Sequence, residues 1–209
     1  MSKIIYIYVL DTMADWELGN ILQSLTLQNM SEKINKNYLV KTVSHKKTPI
    51  KTIGGLTIIP ECTLAEIDDK QIIALLLPGA ETWKNVENRG ILEKAKFYLD
   101  NDVIVGAICG ATLALANSGL LNNYKHTSNS LDYLTMFSKT YSGAKNYHQE
   151  KALIDRNLIT ASSAGSLLWA KLILESLDLY TPEIILSWYN YFLTGEPKFY
   201  NELNYLIMK

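Results

Sequence analysis

The residue most able to do chemistry in this chain is a cysteine at a sharp turn. Cys109 stands in V-I-V-G-A-I-C-G-A-T-L-A-L-A-N, residues 103–117. The apolar run 103–108 reads as a buried strand and residues 111–118 as a helix, which puts the thiol at their junction. Backbone N–H groups in the first turn of a helix are unpaired and the dipole there is positive, so this placement predicts a favoured thiolate. Ala107, Gly110 and Ala111 are small, as a chain doubling back on itself requires at a nucleophile elbow. A thiolate so placed attacks an electrophilic carbon or is oxidised. The second cysteine, Cys62 in I-P-E-C-T-L, lacks such a turn and reads as an inert, small hydrophobe.

Two other segments are expected at the same end of the sheet. D-T-M-A-D-W-E-L-G, residues 11–19, offers the carboxyl groups of Asp11, Asp15 and Glu17. L-L-L-P-G-A-E-T-W, residues 75–83, follows an apolar run, and Gly79 and Ala80 can aim backbone N–H groups at a developing oxyanion. The Gly110 N–H is the natural second donor of that oxyanion hole. Trp83 either walls the pocket or only packs. Gly54-Gly55 reads as a turn, since neither a phosphate-binding loop nor a dinucleotide fingerprint surrounds it.

The elements that position these residues alternate between strand and helix. Apolar β-rich runs cover 3–10, 38–44, 71–77 and 103–108. Helical apolar faces cover 15–28, 87–99, 111–118, 131–137 and 165–177, and two further helices are expected at 182–192 and 198–208. Hairpins are expected at 50–60 and at 152–161 around an Asp-Arg-Asn turn. This order predicts an α/β fold, a three-layer αβα sandwich on a mostly parallel sheet, and in such sheets the site lies beyond the carboxyl ends of the strands. Residues 1–209 read as a single domain, with 181–209 a C-terminal helical extension packed through Trp188, Tyr189, Tyr191 and Phe192.

Composition narrows the function classes. The chain has 209 residues, 48% of them hydrophobic, and a net charge of −1. It shows no basic run or face for nucleic acid and no apolar stretch long enough for a membrane. Its apolar beginning meets Asp11 at once without a small-residue cleavage site, which speaks against a signal peptide. Two cysteines form no disulfide framework, so a reducing cytoplasm is the simplest compartment. The three histidines (His45, His126, His148) do not form a metal-ligand pattern, and neither a metal nor another cofactor is expected.

Taken together, D-W-E-L, L-L-P-G-A, V-G-A-I-C-G-A-T-L-A-L-A-N-S-G-L-L, H-T-S-N and L-I-T-A-S-S-A-G resemble, in order and spacing over roughly residues 3–180, the ThiJ/PfpI superfamily, the cysteine branch of the class I glutamine amidotransferase-like fold. The resemblance implies a flavodoxin-like parallel sheet, Cys109 as nucleophile or redox centre, and Glu17 as the acid that shares a proton with it. It implies no cofactor, and a homodimer as the default assembly.

Two departures stand out. Where the family usually has two glycines after the proline of the middle strand, the second is Ala80. Where many enzymatic members carry a histidine after the cysteine helix, aligning the threonine of H-T-S-N puts Asn129 in that place, with His126 three residues earlier. Either residue is a candidate third member of the site. The H-x-E pair of true glutamine amidotransferases is absent. The expected function is cysteine-dependent chemistry on a small carbonyl or amide substrate: glyoxalase-like, deglycase-like, or amidase- or protease-like. The alternative is a redox-sensing or stress-protective protein that uses oxidation of Cys109.

Overall fold

The computed structural model describes residues 3–30 and 38–208. A seven-stranded sheet carries the fold. Its strands are β1 (Lys3–Tyr8), β2 (Tyr38–Ser44), β5 (Cys62–Thr63), β6 (Ile72–Leu77), β7 (Ile104–Ile108), β8 (Ala152–Asp155) and β9 (Leu158–Ala161), in the spatial order β5-β2-β1-β6-β7-β9-β8. Every pairing is parallel except the β8–β9 hairpin at one edge. A separate hairpin joins β3 (Ile50–Lys51) to β4 (Thr57–Ile58) through the Gly54-Gly55 turn.

The helices are α1 (Gly19–Leu25), α2 (Arg89–Asp100), α3 (Gly110–Asn117), α4 (Leu131–Phe137), α5 (Ser166–Leu177), α6 (Pro182–Thr194) and α7 (Pro197–Met208). Helix α5 packs over β7, β8 and β9, with α1 beside it and α6 behind it, while α2 and α3 pack on β7 from the other helix layer. The continuous apolar runs become central strands: Ala74 to Leu77 and Val105 are fully buried, as strands covered on both faces must be. Gly106 leaves room for the indole of Trp169, since a Cβ there would come within 2.9 Å of that ring. Among the described residues no helix is long and apolar enough to cross a membrane.

One expectation is revised. The expected helix over 15–28 is broken into a 3-10 turn (Asp15–Glu17), α1, and a second 3-10 turn (Thr26–Asn29). The break lets the first turn aim Glu17 inward before α1 begins at Gly19. Cys62 begins a short edge strand after the hairpin, paired with Val43 of β2. Trp188 packs the C-terminal extension onto the fold: it is buried, and its indole N–H donates to Oε1 of Gln23 at 2.6 Å, tying α6 to α1.

Candidate active site

The strand end of β7, the loop after β1 and the loop after β6 meet at Cys109. The cysteine is the N-cap of α3 and has φ 54° and ψ −119°, a conformation that side chains rarely adopt. Such strain costs about 1–3 kcal/mol and persists only where the surroundings hold it. Here the Cys109 N–H donates to the carbonyl of Ala161 on β9 at 3.0 Å. Its own carbonyl accepts from the Thr112 N–H at 3.1 Å and the Thr112 hydroxyl at 2.6 Å. The elbow is therefore clamped on both sides.

Two glycines allow the close approach. A Cβ on Gly79 would sit 2.8 Å from the Cβ of Cys109 and 2.8 and 2.9 Å from the two Glu17 carboxyl oxygens. A Cβ on Gly110 would sit 2.8 Å from the carbonyl oxygen of Ala80. Both positions exclude a side chain by contact, not by a positive φ. Ala80 is not among the positive-φ residues either, so alanine fits where the family usually carries a second glycine.

Glu17 is fully buried. Its Oε2 accepts from the Gly79 N–H at 2.6 Å. Among the described residues its Oε1 meets no nitrogen or oxygen donor, and the group beside the carboxyl is the Cys109 thiol. Burial raises the Glu17 carboxyl above its ordinary value, while the Gly79 N–H and the thiol pull the other way. A proton on Oε1 gives that orphaned oxygen a use, because it turns an unpaired acceptor into a donor to the sulfur.

The sulfur receives two donors. Nδ2 of Asn129 donates to Sγ at 3.3 Å. Oδ1 of Asn129 accepts the Ser163 N–H at 2.9 Å, which fixes the amide with its NH2 toward the sulfur. The Gly110 N–H is the second donor. Burial first, and the charge of Glu17 second, push the Cys109 thiol up to about 11, against the pull of Asn129 and Gly110. This corrects the expectation that the helix end alone favours a thiolate: lost hydration outweighs it. Once Glu17 holds a proton its contribution reverses, since a carboxylic O–H donates to a thiolate that a carboxylate repels.

The structure separates the two candidates for a third residue, and it brings Asn129 to the sulfur. His126 is buried with both ring nitrogens engaged, Nδ1 to the Tyr124 carbonyl and Nε2 to the Tyr141 hydroxyl, each at 2.7 Å. A carbonyl only accepts, so Nδ1 carries the proton and Nε2 accepts from Tyr141. Burial lowers the His126 pKa and keeps it neutral. It braces a loop and is not a partner of the thiol.

Asp11 and Asp15 also lie outside the reacting group. Oδ1 of Asp11 accepts the Lys51 N–H at 2.8 Å, and Oδ2 of Asp15 accepts the Gly54 N–H at 2.7 Å, so the pair ties the β3–β4 hairpin to the loop that carries Glu17. Trp83 is held by a 2.8 Å bond from its indole N–H to the Pro78 carbonyl and packs on Tyr8. It both packs and walls the cavity.

That cavity has a volume of about 820 Å³ and opens over Cys109, Glu17 and Gly79, with Ile53, Leu113 and Tyr133 among its walls. Among the described residues there is no group of three or more His, Cys, Asp or Glu placed to hold a metal ion. Ser163, which sets the Asn129 amide, and Tyr133, in the cavity wall, carry no signal of their own in the sequence.

Residues 3–176 match the DJ-1/PfpI family. The chain belongs to that family. It is similar to a Bacillus subtilis (strain 168) protein named an uncharacterized protease, YoaZ, at 39% identity over 97% of this chain and 96% of that one. Among solved structures it is similar to a ThiJ/PfpI family protein from Bacillus anthracis, at 38% identity and TM-score 0.94, covering 100% of this chain and 99% of that one. A DJ-1 superfamily protein from Agrobacterium tumefaciens matches at 25% identity and TM-score 0.78, covering 94% of this chain and 100% of that one. Helices α6 and α7 lie beyond the span that matches the family, yet inside the span shared with the B. anthracis protein.

Proposed function

We propose that this DJ-1/PfpI protein is an enzyme in which Cys109 adds to the carbonyl carbon of a small substrate and Glu17 carries the proton. The pair starts with one proton, on Glu17, and the sulfur as thiolate. The Sγ–C bond forms, the π pair of the carbonyl moves to oxygen beside the Ala80 and Gly110 backbone, and that oxygen takes the Glu17 proton. The products are a hemithioacetal and a Glu17 carboxylate.

With a 2-oxoaldehyde such as methylglyoxal, the carboxylate then removes the proton on the former aldehyde carbon and returns it to the neighbouring carbon. The hydroxyl proton passes to the neighbouring oxygen. The resulting thioester is hydrolysed by water to a 2-hydroxy acid.

The observation that carries this reading is the buried, unpaired Oε1 of Glu17 facing a sulfur whose third neighbour is Asn129 and not a histidine. Amide or peptide cleavage needs an acid to protonate a departing amine, the role a histidine fills in cysteine hydrolases. The isomerisation expels no amine, so one carboxyl suffices. This favours carbonyl chemistry over the protease label carried by the B. subtilis relative. The test is turnover of methylglyoxal beside a panel of small amides. We expect methylglyoxal consumption that Cys109→Ser abolishes; no turnover above background overturns the reading.

The same Oε1 supports a second reading, oxidation of Cys109 to a sulfinate that accepts a hydrogen bond from protonated Glu17. Mild peroxide followed by mass spectrometry tests it: Cys109 should gain two oxygens before Cys62 does, and the reverse order sinks the idea.

A further inference from the structure

A carbonyl addition leaves charge on an oxygen, and two of the donors nearest Cys109 already serve the sulfur. Asn129 and the Gly110 N–H are both directed at the sulfur. Among the described residues Tyr133 brings to the cavity wall a hydroxyl that no protein group engages. Tyr133 is in the first turn of α4, where its backbone N–H donates to the N-cap hydroxyl of Ser130 at 2.9 Å. Its half-buried ring packs on Phe137 with centroids 5.6 Å apart, and it shares the cavity with Cys109, Glu17 and Leu113.

The fully buried tyrosines differ from it. The hydroxyl of Tyr6 accepts from the Asp68 N–H, Tyr8 donates to Asn88, Tyr38 and Tyr180 bond each other, and Tyr98 donates to Asp69. The Tyr133 hydroxyl takes no protein partner among the described residues. A half-buried hydroxyl that the protein leaves free in the cavity is placed to bond a group that enters there. Burial first, then charge on Cys109 and Glu17, raise its pKa, so it stays a neutral donor and lies close enough to both to feel them.

We infer that Tyr133 contacts the substrate, donating a hydrogen bond from its hydroxyl to the oxygen of the carbonyl that Cys109 attacks. No proton leaves Tyr133: the oxygen takes its proton from Glu17, and the tyrosine steadies the charge while it develops. This rests on the carbonyl reading of the site and adds a side-chain donor to the backbone beside the oxygen.

The experiment measures adduct formation between the protein and 1,1,1-trifluoroacetone by 19F NMR, which reads the equilibrium at Cys109 without turnover. Wild type should form a hemithioketal that Cys109→Ser does not. Tyr133→Phe, which keeps the ring on Phe137, should weaken the adduct about tenfold, as expected for a lost hydrogen bond to a charged or partly charged group. It should leave the melting temperature and the pH profile of iodoacetamide alkylation at Cys109 unchanged, because the hydroxyl acts on the oxygen and not on the sulfur. An adduct equally strong in Tyr133→Phe, or a shifted alkylation profile, overturns the inference alone. No adduct in wild type overturns it together with the carbonyl reading.

Discussion

The two cysteines share burial but differ in the polarity of their hydrogen bonds. Both thiols are pushed up, in each case by burial above all. Cys62, in the regular edge strand β5, donates its S–H to the Thr42 carbonyl at 3.4 Å. Its surroundings hold the protonated form. Cys109, in strained backbone at an elbow, accepts from Asn129 and Gly110. Its surroundings offer hydrogens to the deprotonated form, the more so when Glu17 keeps its proton. Burial alone therefore does not decide whether a thiol is inert. The direction in which its neighbours point their hydrogens does.

The sharpest way to break this contrast is Gly79→Ala. The added Cβ collides with Cys109 and both Glu17 oxygens. Overpacking of this kind costs about 1–3 kcal/mol of stability, and a displaced nucleophile costs about a hundredfold in rate. Methylglyoxal turnover should fall by that factor while Cys62 stays as unreactive as before. Wild-type turnover in this variant would show that the three groups are not in contact.

A smaller effect is expected from Asn129→Ala. It removes a donor that serves the thiolate, so the midpoint of alkylation against pH should move upward, with the rate at neutral pH down about tenfold, the worth of a hydrogen bond to a charged group. His126→Gln should leave that profile where it is and lower the melting temperature instead, since it disturbs only the Tyr124 and Tyr141 bonds. A shifted profile in His126→Gln would reverse the assignment of the third neighbour.

The smallest effect sharpens the role of Glu17. Its carboxyl is raised in the folded chain, so folding binds its proton more tightly than the unfolded chain does. Stability from that proton is present below the ordinary carboxylate value and is lost as pH rises through the raised one. Glu17→Gln removes this loss. The variant and wild type should melt alike as long as Glu17 keeps its proton, and the variant should be the more stable by about 1 kcal/mol in alkaline buffer, where the buried oxygen otherwise lacks a donor. A stability difference that does not change with pH from the acid to the alkaline side would show that Glu17 is not held in a proton-favouring site.

Much of this was legible before the structure. The apolar runs that become β1, β6 and β7, and the small residues around Cys109, depend on local pattern alone. The edge strand at Cys62–Thr63 did not show, because pairing two residues to β2 leaves no periodicity to read. Neither the choice between His126 and Asn129 nor the helix break before Gly19 was local. Asn129 reaches the sulfur because the turn after β9 presents the Ser163 N–H to its amide, a contact between residues 34 apart. The free hydroxyl of Tyr133 is a fact about what surrounds it, which spacing cannot express.

The β3–β4 hairpin has a consequence for how such a protein changes over time. It places Ile53 at the cavity and is fastened by Asp11, Asp15 and the Met13 carbonyl to the loop that carries Glu17. The donors to the sulfur come from elsewhere, from α3 and from the loop before α4. Entrance and nucleophile are therefore separate inheritances. A new hairpin grafted onto the same anchors would select a different guest while the sulfur keeps its donors.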